Sequence, residues 1–205
     1  MRSATTRQLI SGPAGQLELA FDDPEGAPQG VALLLHPLPT HGGTMDNKVV
    51  QSLARAALAL GLRAVRLNFR GVGASDGQFD HGVGEVDDAW AAAQAVLPPD
   101  APFYLGGFSF GAYVATRLAE RLQTAGQPVH RLALIGLAAS RFPAEQVPAH
   151  SFVLHGELDD VVPLSAVLDW ARPQALPVTV LPGAGHFFHG QQVLLKDLVM
   201  RAWSR

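Results

Sequence analysis

The sequence predicts an α/β protein, a single domain over residues 1–205 with a mainly parallel central sheet and helices on both of its faces. Three observations predict it. From Val31 onward, short apolar runs alternate with segments of helical periodicity. The runs are continuously apolar, as expected of strands buried on both faces. Gly and Pro are spread as punctuation between short elements, with no internal repeat, long linker or low-complexity tract.

Leu17–Phe21 has an apolar rhythm and reads as an outer strand. Val31–Leu35 is the first continuous apolar run. His36-Pro37 ends it, because proline cannot extend a central ladder. Asn47–Leu60 reads as a helix: Val49, Leu53, Ala56 and Leu60 share a face, and Gly61 supplies the stop. Ala64–Phe69 is the next strand. In the helix Glu85–Leu97, Val86, Trp90, Ala93 and Leu97 are in phase, and Pro98-Pro99 ends it. Phe103–Phe108 is a strand, followed almost at once by the helix Phe110–Gln123. Leu132–Leu137 and Phe152–His155 are further strands. Pro163 suits the first turn of the helix Leu164–Ala171. Val178–Leu181 is the last strand, and the helix Val193–Trp203 closes the chain.

This alternation implies parallel strands joined by right-handed crossovers. In such sheets, reactive groups sit in loops beyond the carboxyl ends of the strands. Those loops are 36–46, 70–84, 106–111, 156–162 and 183–190.

Composition narrows the function. The chain has 205 residues, 48% hydrophobic and 16% charged, enough to bury a substantial core. A net charge of -3 without a basic run points away from nucleic acid and anionic membranes as partners. No apolar run is long enough to span a bilayer, and Met1–Gly12 lacks the apolar core of a signal peptide, so a cytoplasmic protein is expected. The absence of cysteine excludes disulfides, thiolate metal sites and a cysteine nucleophile.

Gly107-Phe108-Ser109-Phe110-Gly111 matches G-x-S-x-G between an apolar strand and a helix. That context is what a nucleophile elbow requires. The turn is so sharp that small residues flank the serine, and the helix N-terminus favours negative charge at the reacting centre. The segment lacks the Lys-Ser/Thr ending of a P-loop and the glycine spacing of a dinucleotide fold.

A serine nucleophile needs a base, and the base needs an orienting acid. Of eight histidines, His186 is favoured by its place in Gly183-Ala184-Gly185-His186 after the last strand, with His189 as the alternative. The loop after Phe152–His155 crowds three carboxylates, Glu157, Asp159 and Asp160, and charge alone does not choose among them. Asp160 has the competing role of capping the helix near Pro163. Asp22, Asp23, Asp87 and Asp88 read as surface charges. The N–H after the nucleophile, on Phe110, is one candidate oxyanion donor. The second is expected after Val31–Leu35, where Pro37 and Pro39 have no N–H and Leu38 lies between them.

These motifs together resemble the α/β-hydrolase superfamily: His36-Pro, Arg70-Gly-Val-Gly-Ala-Ser75, Gly107–Gly111, His155-Gly-x-x-Asp159-x-x-Val-Pro163 and Gly185-His186. The resemblance implies that Asp159 is the acid. His36-Pro-Leu-Pro-Thr-His-Gly-Gly-Thr-Met-Asp-Asn-Lys48 further resembles small, lidless bacterial hydrolases related to dienelactone hydrolase. Ser109 departs from the cysteine of that enzyme, so lactone specificity does not carry over. Only Ala138–Ser151 is available where relatives insert a helical cap, too little for a cap domain.

The expected activity is hydrolysis of a carboxylic ester or thioester on a small acyl substrate, with Ser109, His186 and Asp159 as triad and the Leu38 and Phe110 amides as oxyanion hole. No cofactor is required. Peptidase or amidase action on short substrates, and a binding module on the same fold, are the alternatives. His36 and His41 are expected to shape the oxyanion loop, since no spacing resembles a zinc site. Arg70 and Ser75 are expected to tie down the loop beside the nucleophile. Phe108, Phe110, Phe187 and Phe188 are candidates to line an acyl site.

Overall fold

The two most buried apolar runs lie side by side at the middle of the sheet. A computed structural model describes residues 4–204. Its strands are β1 (Thr6–Gly12), β2 (Gly15–Asp22), β3 (Val31–Leu35), β4 (Arg63–Leu67), β5 (Phe103–Phe108), β6 (Arg131–Ile135), β7 (Phe152–Gly156) and β8 (Val178–Leu181). The helices are α1 (Lys48–Ala59), α2 (Gly84–Val96), α3 (Phe110–Thr124), α4 (Leu164–Ala171) and α5 (Gln192–Trp203). The eight strands form one sheet in the order β1-β2-β4-β3-β5-β6-β7-β8. The pairs β1–β2 and β2–β4 are antiparallel and the rest parallel. This is the α/β-hydrolase arrangement. Every residue of β3 and β5 is buried, as the unbroken apolar runs require.

The faces are covered as the sequence predicts. Helices α1 and α5 pack on one face, where Ala32 and Leu34 meet Val49, Leu53 and Trp203. Helices α2, α3 and α4 pack on the other, where Leu33 and Leu105 meet Ala92, Val114 and Val167. Asn47 caps α1 by accepting a hydrogen bond from the Val49 N–H at 2.9 Å.

The chain runs from β3 through α1 to β4 on one side, then returns over β3 to reach β5. The order therefore reverses between β3 and β5, and the loops leaving their carboxyl ends face each other across a crevice.

Two strands differ from the sequence reading. Thr6–Gly12 forms an edge strand, paired as a hairpin with β2 through Pro13-Ala14. Its residues are almost all exposed, so no apolar run marks it. The strand predicted at Leu132–Leu137 stops at Ile135, where Gly136 turns with φ 55°. The crossover from β6 to β7, residues 136–151, contains no helix. Among the described residues no cap stands over the sheet, as expected from the length of that segment. Among the described residues, no helix is long and apolar enough to cross a membrane.

Asp88 is not a surface charge. It is fully buried on α2 and accepts from Arg70 Nε at 2.9 Å, Arg70 Nη2 at 2.8 Å and the Arg70 N–H at 3.0 Å. Arg70 Nη2 also donates to the Gly84 carbonyl at 2.7 Å. Within the same loop, buried Glu85 accepts from the Asp80 and Gly82 amides. Ser75 Oγ donates to the Asn68 carbonyl and accepts from the Glu18 N–H. Residues 70–84 are thus fastened at both ends. Asp88→Ala would strand the Arg70 guanidinium, and we expect a loss of about 3–5 kcal/mol, read by urea unfolding. A loss below 1 kcal/mol would show that the latch is not needed.

Candidate active site

Between β5 and α3, Ser109 sits at φ 56° and ψ −113°, outside the regions that a residue with a side chain prefers. Such a conformation costs about 1–3 kcal/mol and persists only where its surroundings over-determine it. Here they do. The Ser109 N–H donates to the Ile135 carbonyl at 2.8 Å, and its carbonyl accepts from the Ala112 and Tyr113 amides. A Cβ at Gly107 would lie 2.2 Å from the Gly111 carbonyl oxygen, and one at Gly111 would lie 2.3 Å from that of Leu35. Both glycines are required by close approach, which is the physical content of the motif.

Ser109 Oγ lies 2.9 Å from His186 Nε2, and His186 Nδ1 lies 2.7 Å from Asp159 Oδ2. With Asp159 ionised, Nδ1 carries the ring proton and donates to it. Nε2 then accepts from the serine hydroxyl. The other Asp159 oxygen accepts from the Val161 and Val162 amides at 3.0 and 2.7 Å. Burial pushes the Asp159 carboxyl up, but the hydrogen bonds from His186 and Val162 outweigh it and hold the group below its usual range.

The loops carrying acid and base are stitched together. Leu158 N–H donates to the Ala184 carbonyl and Glu157 N–H to that of Leu181. Beneath them His155 is wholly buried. Its Nε2–H donates to the Val162 carbonyl at 2.9 Å and lies 3.3 Å from Asp159 Oδ2. Burial pushes the His155 pKa down, against the opposing bond to Val162 and the charge of Asp159.

The loop after β3 is organised by His36. Its buried ring accepts from the Phe69 N–H at Nε2, 3.1 Å away, so Nδ1 is the donor, and it bonds the Pro37 carbonyl at 2.6 Å. That carbonyl belongs to the same peptide group as the Leu38 N–H. Gly43 covers it from the other side, where a Cβ would lie 2.0 Å away. Among the described residues, neither the Leu38 nor the Phe110 N–H has an acceptor.

A cavity of about 280 Å³ opens above Ser109, His186 and these two residues. Its apolar wall includes Leu38, Phe110, Phe142, Val161, Val162 and Phe187. Phe108 and Phe188, expected in such a wall, are instead fully buried core, with Phe108 supporting the His186 ring at 5.0 Å. The sequence reading does not place Phe142, Val161 or Val162 in this wall. For Phe142 the available signal is the missing cap, which leaves residues 138–151 as the chain nearest Ser109. His189 is exposed against Phe187, Asp160 is exposed, and Glu157 reaches the Gly183 amide; none of them joins Ser109. The helix starting after Pro163 has no side-chain cap. His41 lines the cavity at its rim. Among the described residues, no cluster of His, Asp and Glu is placed to hold a metal.

Comparison with known proteins agrees with this fold. The thioesterase domain family matches residues 42–154. A lidless α/β serine hydrolase from Xanthomonas campestris superimposes with a TM-score of 0.90 at 38% identity, covering 100% of this chain and 96% of that one. An α/β serine hydrolase homologue from Coxiella burnetii gives 0.85 at 38% identity, with 96% of each chain covered. An uncharacterised protein of Rickettsia prowazekii is 32% identical over 87% of this chain and 80% of its own.

His36 makes a prediction about acid stability. Burial lowers its pKa from 6.5 to about 4, against the opposing bond to Pro37. Between these values the unfolded chain binds a proton that the folded chain refuses, so stability rises with pH across this window. Falling from pH 6.5 to 4, this group alone removes about 3 kcal/mol. Denaturant unfolding should show that decline in the wild type and a clearly shallower one in His36→Asn, which has no titrating ring. Equal slopes would contradict the assignment.

Proposed function

We propose, for a chain that belongs to the thioesterase domain family and to the lidless α/β serine hydrolases, that it cleaves a carboxylic ester or thioester of a small acyl substrate through Ser109, His186 and Asp159. The observation that carries this reading is the continuous bonding from Ser109 Oγ through His186 to Asp159, at 2.9 and 2.7 Å. Ser109 Oγ attacks the carbonyl carbon while His186 Nε2 takes its proton. The oxyanion is bound by the Leu38 and Phe110 amides, each donor worth about 3 kcal/mol. Collapse expels the alkoxide or thiolate, which receives the proton from His186. Water, deprotonated by His186, then attacks the acyl-serine, and the acid leaves with Ser109 restored. Asp159 holds the imidazole in the needed tautomer and stabilises its charged form. Esters and thioesters suit this site better than amides, whose leaving amine demands fuller protonation.

His36 is a positioning residue in this scheme. By holding the Pro37 carbonyl it turns the Leu38 N–H, on the opposite side of a trans peptide, toward the cavity.

A fluorophosphonate probe tests the reading by intact mass. Wild type should gain one adduct, Ser109→Ala none, and His186→Ala an adduct only slowly. No adduct on folded wild type would end the proposal. His36→Gln, which cannot donate from the Nδ1 position, should lower kcat about tenfold or more with little change in KM. His36→Asn keeps a donor there and should retain most of the rate. Equal losses in both would mean that the ring serves only the fold.

A further inference from the structure

The cavity wall carries one guanidinium. Arg141 lies in the helix-free crossover 136–151 and lines the cavity with Ser109, Phe110 and His186. Its N–H donates to the Ala138 carbonyl at 3.1 Å, and the Ala138 N–H reaches the Ser109 carbonyl at 3.4 Å. Arg141 therefore stands one turn from the nucleophile's own carbonyl. The neighbouring Phe142 stacks on Tyr113 with ring centroids 4.9 Å apart and meets Phe110 edge-on at 5.1 Å, which fixes the course of this segment.

What sets Arg141 apart is its place: Arg55, Arg131 and Arg201 also lack a carboxylate partner among the described residues, but Arg141 is the arginine that lines the cavity above Ser109. Arg66, Arg70, Arg117 and Arg121 are each held by a carboxylate. Among the described residues, the Arg141 side chain has no hydrogen-bond or ion-pair partner, and no Asp or Glu lines the cavity. An exposed guanidinium at the rim of an apolar cavity is hydrated when the site is empty and is free to pair with an anion that a substrate brings there. Its planar fork matches a carboxylate in bidentate geometry.

We propose that Arg141 recognises a negatively charged group on the substrate, so that the physiological ester or thioester is an anionic one whose apolar portion lies along Phe142 and Phe187. This rests on the hydrolase reading above. The anion belongs to the acyl chain or to the leaving group, and the chemistry at Arg141 is the same in both cases.

The test compares kcat/KM for matched charged and neutral esters. One arm uses p-nitrophenyl monoesters of adipic, pimelic and suberic acids against neutral alkanoates of equal chain length. The other uses a 4-acyloxybenzoate against its methyl ester. Wild type should favour the charged member about tenfold in one arm, which identifies the side bearing the anion. Arg141→Met should bring that ratio to about one, Arg141→Glu should invert it, and Arg141→Lys should restore part of it. Added salt should erode the wild-type preference. Arg141 is exposed and holds no partner, so these variants are expected to fold. A wild-type ratio at or below one in both arms, or a ratio unmoved by Arg141→Met, would overturn the inference while leaving the hydrolase reading in place. Failure of folded wild type to turn over any of these esters would remove both.

Discussion

The contact on which the site depends is backbone against backbone: α3 begins against the carboxyl end of β3. Gly111 lies so near the Leu35 and His36 carbonyl oxygens that a single methyl group would collide with both. This approach draws the start of α3 toward the loop that carries Leu38. It also forces the chain to leave β5 through the left-handed turn at Ser109. The unfavourable dihedrals are thus a consequence of placing a helix N-terminus beside the neighbouring strand's loop. Adjacency of β3 and β5, itself set by two long buried apolar runs, makes the contact possible.

Three buried histidines around this contact differ only in their hydrogen bonds, and those bonds decide what each can do. His36 spends Nδ1 on the Pro37 carbonyl and Nε2 on the Phe69 amide, so it is saturated and held neutral. His155 is committed to the Val162 carbonyl and sits beneath Asp159. Only His186 has a carboxylate on one nitrogen and a hydroxyl on the other. Asp159 in turn is kept ionised because two backbone amides and one imidazole share its charge against the cost of burial. The same residue type therefore serves as a clamp, a prop and a candidate base, according to its bonding partners.

How much of this was legible in the sequence follows from the same physics. The parallel core was readable because strands buried on both faces cannot alternate in polarity. Gly107, Ser109 and Gly111 were readable because close approach allows no substitute for glycine at that spacing. Thr6–Gly12 was not readable as a strand, since an exposed edge strand needs no apolar pattern. Asp88 reads as a surface charge in the sequence because its burial depends on Arg70, eighteen positions away, which local pattern does not reveal. The loop after β7 held three carboxylates that charge could not rank. Resemblance pointed to Asp159, and the geometry has a reason: its side chain turns back onto the Val161 and Val162 amides and so faces His186.

The absence of a cap gives the β6–β7 crossover a second role. In this chain residues 136–151 connect two strands without a helix and supply Ala138, Arg141 and Phe142 to the wall above Ser109. A segment with no helix can follow the rim of the sheet closely. Phe142 anchors it between Phe110 and Tyr113, both on α3, the helix that starts directly after Ser109. The wall and Ser109 are therefore positioned by the same helix. The Arg141 side chain can vary without disturbing the elbow, because it is exposed and Ala138 engages Ser109 through its backbone N–H. Such a division keeps Ser109, His186 and Asp159 on a rigid frame and leaves the exposed Arg141 side chain on a short stretch of chain that Ala138 and Phe142 hold in place.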